Sequence, residues 1–449
     1  MTTRVLLLLW TLVTSALGAE NGGWLEWKNV QSSLSKASNK FIRATESVED
    51  FLFGEACPFV DNPAEAVRDK LKVGLKAQPL AIKAVSDHIK AWYSTNKPLV
   101  LAFTGPTGVG KTETANLVAE AVLKKKARMG KRGTRTRPKG LVLFEGADFA
   151  DTSLVKQYKR RITSELAKIF RKCGNRAVII FDEIQKVAPG TLDVLIEAMS
   201  ERPRLTYYNH KTEDTEHYDT SKVIFLLISD VGGSRMFEMV QEQNGREHVS
   251  KGMVQREIGR IMRSQWDRLQ FTQKIGGTVP FLPLEEEHVR EVLQFKLEKV
   301  RDDGKNKNRW KDVEWTNEFL EHMTTIRNNQ YGIVYKRYLP EGSAIAKPRV
   351  FAKYGARNII QSEGPLSPIQ TKLNDARRSN KNAIIQLDVV KNEDGATKAI
   401  RVDVCHARES SNGGGATSSE CGKKSSGNGI DKTCRRLVCT EFFNGDLKD

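Results

Sequence analysis

Much that would classify this 449-residue chain is missing from it. No Asn-x-Ser/Thr triplet occurs, so N-linked glycans are not expected. No two cysteines stand in C-x2-C spacing, which places zinc behind disulfides for the four crowded at Cys405, Cys421, Cys434 and Cys439. Four such cysteines can form two bridges in three ways, while Cys57 and Cys173 stand isolated. No apolar run is long enough to span a bilayer comfortably, and Val5 to Val13 also falls short. Acids are absent from Lys124 to Lys139, which holds nine Lys or Arg. No aromatic is interleaved with these bases, so single strands find no stacking platform and nucleic acid is not expected as a partner. The segment reads as a solvated, mobile insertion, or else as a contact for anionic lipid or an acidic partner.

The chain carries a formal charge of +17, which suits an anionic partner or surface. Arg4, the apolar block Val5 to Val13 and the small residues Ser15 to Ala19 have the order of a secretory signal cleaved after Gly18 or Ala19. A retained monotopic anchor is the alternative reading. With the signal removed, the protein is expected in the endomembrane lumen or beyond, where cysteines pair. The final Gly445-Asp-Leu-Lys-Asp449 is not a KDEL-type signal, so retention in the endoplasmic reticulum would fall to a partner.

One stretch organises the rest. Leu99 to Phe103 is an apolar strand pattern that breaks into Gly105-Pro106-Thr107-Gly108-Val109-Gly110-Lys111-Thr112, and a helical pattern follows. This is a G-x-x-x-x-G-K-T phosphate loop in its strand–loop–helix setting. Its glycines let backbone N–H groups face an anion, Lys111 reaches the β- and γ-phosphates, and Thr112 is a Mg²⁺ ligand. The chain is therefore expected to bind a nucleoside triphosphate.

The remaining pattern supports that setting. Residues 20–70 read as a helical lead-in, and Leu75 to Val85 leads into an amphipathic helix ending near Trp92. In ATPases of similar layout such a segment covers the adenine, which makes Ile82 a candidate there; a plain packing helix is the alternative. Buried-strand patterns follow at Leu141–Phe144, Ala177–Asp182, Lys222–Ser229 and Thr278–Leu284, with a long helix over Leu154–Lys172. The second of these strands ends in Asp182-Glu183, a Walker B pattern: Asp182 holds Mg²⁺ through water and Glu183 polarises the attacking water. Strands alternating with helices predict an α/β fold, a parallel sheet with its ligand at the strand carboxyl ends. From Glu285 the pattern turns helical, residues 383–404 resemble a hairpin, and Ser410–Gly429 is Gly/Ser-rich.

Together these residues resemble the AAA+ ATPases, in the branch that holds torsins and the Clp/Hsp100 unfoldases. GPTGVGKT and FDEIQK are close to Clp forms, whereas the signal, the single ATPase module and Val279-Pro-Phe-Leu-Pro-Leu-Glu285 are similar to torsins. The resemblance implies a P-loop parallel sheet flanked by helices, then a small helical lid. Its boundaries would be 1–19 for the signal, 20–70 for the lead-in, 71–284 for the ATPase domain, 285–376 for the lid and 377–449 for the hairpin and tail. ATP and Mg²⁺ are the implied cofactors.

Departures from the family pattern are as informative. Sensor 1 falls on Asp230, where relatives carry Asn; Asp can orient water but adds negative charge beside the γ-phosphate. Sensor 2, in Tyr354-Gly355-Ala356-Arg357, matches the Clp form and brings Arg357 to the phosphates, in place of the torsin Gly-Cys-Lys. The arginine finger aligns to Lys274, with Arg268 as a second candidate. Lys lacks the bidentate fork of Arg and stabilises the transition state less. Torsins borrow a finger from a membrane-anchored activator, and a weak finger here implies the same need. Gly146-Ala-Asp-Phe149-Ala-Asp151 does not match a threading pore loop, which counts against processive translocation. The resemblance thus implies a luminal ATPase of the endoplasmic reticulum or nuclear envelope, assembling into a homo-oligomeric ring or filament and remodelling protein clients or membrane-associated complexes. Two alternatives stay open: a Clp-like unfoldase of an organelle, and a nucleotide-gated assembly protein with little turnover.

Overall fold

The computed structural model describes residues 57–129, 135–210, 212–266, 272–307, 309–325, 333–338, 349–360, 384–391, 397–407 and 437–445. The expected signal, residues 20–56 of the lead-in, Arg268 and the Gly/Ser-rich tail lie outside them. Helix α1 (Pro63–Gly74) is capped by the Asn62 side chain, and α2 (Pro79–Tyr93) is entered at Gln78. Both open on proline, whose missing N–H is harmless in a first turn. Strand β1 (Leu99–Thr104) feeds α3 (Lys111–Val122), and a ribbon of β2 (Lys126–Met129) and β3 (Arg135–Pro138) follows. Next come β4 (Leu141–Glu145), α4 (Val155–Cys173) and β5 (Val178–Asp182). A second ribbon, β6 (Arg204–Asn209) and β7 (Asp214–Asp219), precedes β8 (Ile224–Ser229). Helices α5 (Gly233–Glu242) and α6 (Lys251–Trp266) then lead to β9 (Gly277–Pro280).

The apolar runs become the central strands because both of their faces are covered. The sheet order is β4-β5-β8-β1-β9, and every pairing in it is parallel. Leu99, Leu101 and Phe103 of β1 enter a core with Leu71 of α1, Ile89 of α2 and Val118 of α3. Val100 and Ala102 face the other way, into a core with Leu166 of α4, Met239 of α5 and Ile258 of α6. Period-two alternation therefore sorts residues between two buried layers, as a parallel sheet requires. Each fully buried phenylalanine, such as Phe103 or Phe225, contributes about 2–3 kcal/mol.

The two ribbons are where expectation and structure part. The basic segment, expected as a solvated, mobile insertion, pairs as an antiparallel ribbon from Lys126↔Pro138 to Met129↔Arg135. The β6–β7 ribbon has no counterpart in the sequence reading, because its strands are largely polar and exposed. Cys57 and Cys173, isolated in sequence, form a disulfide with Cα atoms 4.9 Å apart. It fastens the chain before α1 to the end of α4.

After β9 come α7 (Glu286–Asn306), β10 (Asp312–Trp315), α8 (Asn317–Thr324), β11 (Tyr335–Tyr338), β12 (Arg349–Ala352) and α9 (Arg357–Ile360). The expected hairpin is present as β13 (Ile384–Lys391) and β14 (Thr397–Ala407), joined by β15 (Leu437–Gly445). Strand β10, between α7 and α8, pairs in parallel with β13, so a lid segment and the hairpin share one sheet, β10-β13-β14-β15. Cys405 and Cys439 stand opposite one another in the β14–β15 register. Among the described residues no helix is long and apolar enough to cross a membrane.

Candidate nucleotide site

Four strand ends and one lid turn converge on a cleft of about 520 Å³. Strand β1 ends at Thr104 and β8 at Ser229, neighbours in register, so the loop after β1 and Asp230 after β8 face each other. Strand β5 delivers Asp182 beside Glu145, its register partner on β4. The cleft is lined by Thr107, Lys111, Thr112, Glu145, Asp182, Glu183, Asp230 and Arg357, among others.

The loop itself is shaped by close approach to the lid. At Gly108 φ is +76°, and a Cβ would stand 1.9 Å from the Tyr354 carbonyl oxygen. Gly355 answers it: its φ is +55°, and a Cβ there would meet Gly108 O at 2.5 Å. Only glycine satisfies both the left-handed backbone and that contact. The Ala356 N–H then donates to Gly108 O at 2.9 Å, so the turn that carries Arg357 is bonded directly to the loop.

Lys111 is almost fully buried at the start of α3. Its ammonium donates to Gly105 O at 2.7 Å, Pro106 O at 2.6 Å and Asp230 Oδ1 at 2.7 Å. Burial pushes its pKa down, and the Asp230 carboxylate opposes that shift. Thr107 Oγ1 donates to the other oxygen, Asp230 Oδ2, at 2.9 Å. Thr112 Oγ1 donates to Asp182 Oδ2 at 2.6 Å, and the Glu183 N–H to Asp182 Oδ1 at 2.9 Å. Glu183 itself has φ +52° and pairs with Lys186 at 2.7 Å. These groups fit a magnesium nucleotide: a hydroxyl and a carboxylate in contact are the expected metal ligands, beside a buried ammonium and a glycine loop.

Two features escaped sequence reasoning. Glu145 is a further carboxylate in the cleft, its pKa pushed up by burial first and then by Asp182, Glu183 and Asp148. A strand-end Glu carries no motif, so only the β4–β5 register reveals it. The second is a small apolar cavity of about 90 Å³ beside Gly108–Gly110, lined by Leu75, Leu284, Val292, Phe295 and Ala356. Ile82, expected over the adenine, lines instead a separate cavity of about 570 Å³ with Gln78, Arg246 and His288. There burial, then Arg246, pushes His288 down to about 4.

Other expected residues fall away from the cleft. Lys274, in a short 3-10 turn over Thr272–Lys274, does not line it. Phe149, at the place of the missing pore loop, is buried with its ring 5.3 Å from Tyr158 and 5.9 Å from Phe144. It is a core residue and does not project into a channel.

Comparison with known proteins agrees with this geometry. The family model for Torsin matches residues 51–181, which hold the phosphate loop and most of the Walker B strand. A torsin-like protein of Caenorhabditis elegans is 31% identical over 237 residues, covering 50% of this chain and 61% of that protein. The chaperone protein ClpB of Meiothermus ruber is 28% identical over 255 residues, 52% of this chain and 26% of ClpB. The chain thus spans under two thirds of either relative. In structure it is similar to the Saccharomyces cerevisiae Hsp104–ADP complex, with a TM-score of 0.50 at 18% identity over 74% of this chain and 52% of Hsp104. That likeness shows the AAA+ fold: a parallel α/β sheet flanked by helices.

Proposed function

From its torsin-like sequence and AAA+ fold, we propose that this chain is a torsin-like AAA+ ATPase, coupling ATP binding and hydrolysis to the remodelling of protein or membrane-associated complexes. The observation that carries the reading is the cleft itself. Lys111 and Thr112 at the start of α3, Asp182 and Glu183 at the end of β5 and the lid residue Arg357 at the start of α9 line one cavity.

Their roles follow from charge and position. Lys111 and Arg357 neutralise phosphate charge, one from the loop and one from the lid, so nucleotide binding also fixes the lid. Thr112 and Asp182 would hold Mg²⁺, which would supply further neutralisation of the phosphates. Glu183, freed from Lys186, polarises the attacking water. Lys274 lies outside the cleft, which suits a finger offered to a neighbouring subunit in a ring or filament. Lys is a weak finger, which favours an activating partner that supplies Arg. The Cys57–Cys173 bridge supports an oxidising compartment, and with the signal pattern it favours the lumen of the endoplasmic reticulum or nuclear envelope. The basic ribbon offers peripheral contact to an anionic membrane surface.

One observation favours the Clp-like reading. Strands β13 and β14, together with the Gly355-Ala356-Arg357 turn, are the Clp-like part of the chain. ATP turnover separates the two: the purified chain is assayed alone and with detergent-solubilised endoplasmic reticulum membrane proteins. The torsin-like reading expects turnover that rises several-fold on addition. Full turnover by the chain alone would favour the Clp-like reading, and no turnover in either case would contradict an ATPase.

A further inference from the structure

Asp230 does more in this cleft than end a strand. Lys111 has three N–H donors, and all three are committed: two to the carbonyls of Gly105 and Pro106, one to Asp230 Oδ1 at 2.7 Å. The second carboxylate oxygen accepts from Thr107 at 2.9 Å. Asp230 therefore bridges the two loop side chains that most closely resemble phosphate ligands, as an anion tethered to the end of β8. The surrounding charge sharpens the effect. The cleft lining holds five carboxylates, Glu113, Glu145, Asp182, Glu183 and Asp230, against two cations, Lys111 and Arg357. Asp182 is engaged with Thr112, and Glu183 with Lys186. Asp230 alone among the five is ion-paired to the buried ammonium.

We propose that Asp230 decides how many phosphates the cleft accepts. Its carboxylate holds the positions on Lys111 and Thr107 that a γ-phosphate needs, so a nucleoside diphosphate binds more tightly than the triphosphate. The inference rests on the nucleotide-site reading and deepens it. A triphosphate brings its most highly charged group to an ammonium already paired with a carboxylate that cannot diffuse away. Like charge then opposes the γ-phosphate, and any gain on Lys111 is a loss of the Asp230 pair. A diphosphate has no γ-phosphate to set against the carboxylate. Asp230 thereby acts as a built-in counterpart of the γ-phosphate and biases the cleft toward the product state.

The test is a ratio of affinities, measured by isothermal titration of the full chain with ADP and with the β,γ-imido analogue of ATP at saturating Mg²⁺. Wild type is expected to bind ADP at least tenfold more tightly. Asp230→Asn keeps the shape and removes the charge; it should tighten the triphosphate analogue about tenfold and change ADP less than threefold. Asp230→Ser also removes the charge and should move the ratio the same way, which keeps the test in hand if Asp230→Asn fails to fold. An unchanged ratio in the folded variants, or equal weakening of both nucleotides, overturns the inference while leaving the nucleotide site standing. Absence of binding to wild type by either nucleotide overturns both.

Discussion

Gln78 occupies the N-cap position of α2, yet its side chain makes no bond to the helix's first turn. Its amide donates to Leu282 O at 2.8 Å and accepts from Leu282 N at 3.0 Å, the reciprocal pair a β-strand neighbour would make. Fully buried, it satisfies two backbone groups of Leu282, 204 positions away in sequence. Gln78→Leu leaves both orphaned, and each unmade buried hydrogen bond costs about 1–3 kcal/mol. Denaturant unfolding should show a matching drop in stability, and an unchanged midpoint would mean that water replaces the amide. At this scale local spelling decides what the sequence discloses. Lys111, Thr112, Asp182 and Glu183 are legible because a motif fixes each by spacing, and the structure brings all four to one cleft. Asp230 is legible as a strand-end acid but not as the partner of Lys111, because that contact spans 119 positions. Glu145, Leu75 and Phe295 line the site with no motif to mark them.

Strands buried on both faces announce themselves, as does an amphipathic helix such as α4, whereas short polar strands do not. The runs Leu99–Thr104, Val178–Asp182 and Ile224–Ser229 are wholly buried and read as strands from composition alone. The ribbons β2–β3 and β6–β7 carry mostly polar residues, so neither apolar period nor run length betrays them. Strand β10, of four residues, gains its meaning only from pairing with β13. The disulfide belongs to this scale too, since it staples the segment before α1 to the last turn of α4 across 116 positions. Closing a loop of that length restricts the unfolded chain by about 4–5 kcal/mol in the chain-entropy account, and loss of such bridges commonly costs about 2–5 kcal/mol. Cys173→Ser should therefore lower the thermal midpoint by several degrees, and added reductant should lower that of wild type by more than that of the variant. Equal midpoints with and without reductant in wild type would show that the bridge carries no stability.

At the scale of the described molecule, the central parallel sheet ends in a cleft that a lid turn also lines. The Ala356 N–H on Gly108 O joins the lid turn to the phosphate loop, and Ala352 N on Leu284 O ties the lid's own strand to the chain leaving β9. The turn that carries Arg357 is thus bonded directly to the phosphate loop, the kind of contact through which a ligand can shift a conformational equilibrium. The AAA+ architecture was legible from the order of strand, loop, helix and acid pair. The shared sheet β10-β13-β14-β15 was not, because its strands come from segments some 70 residues apart. The central claim, that this cleft binds and splits ATP with these residues, is tested most directly by pairing two variants of the full chain. ATP binding and phosphate release are measured for wild type, Lys111→Ala and Glu183→Gln, with the activating membrane fraction present. The account predicts that Lys111→Ala loses binding at least tenfold, while Glu183→Gln keeps binding within a few-fold and loses turnover by about a hundredfold or more. Binding or turnover unaltered in both variants would contradict it.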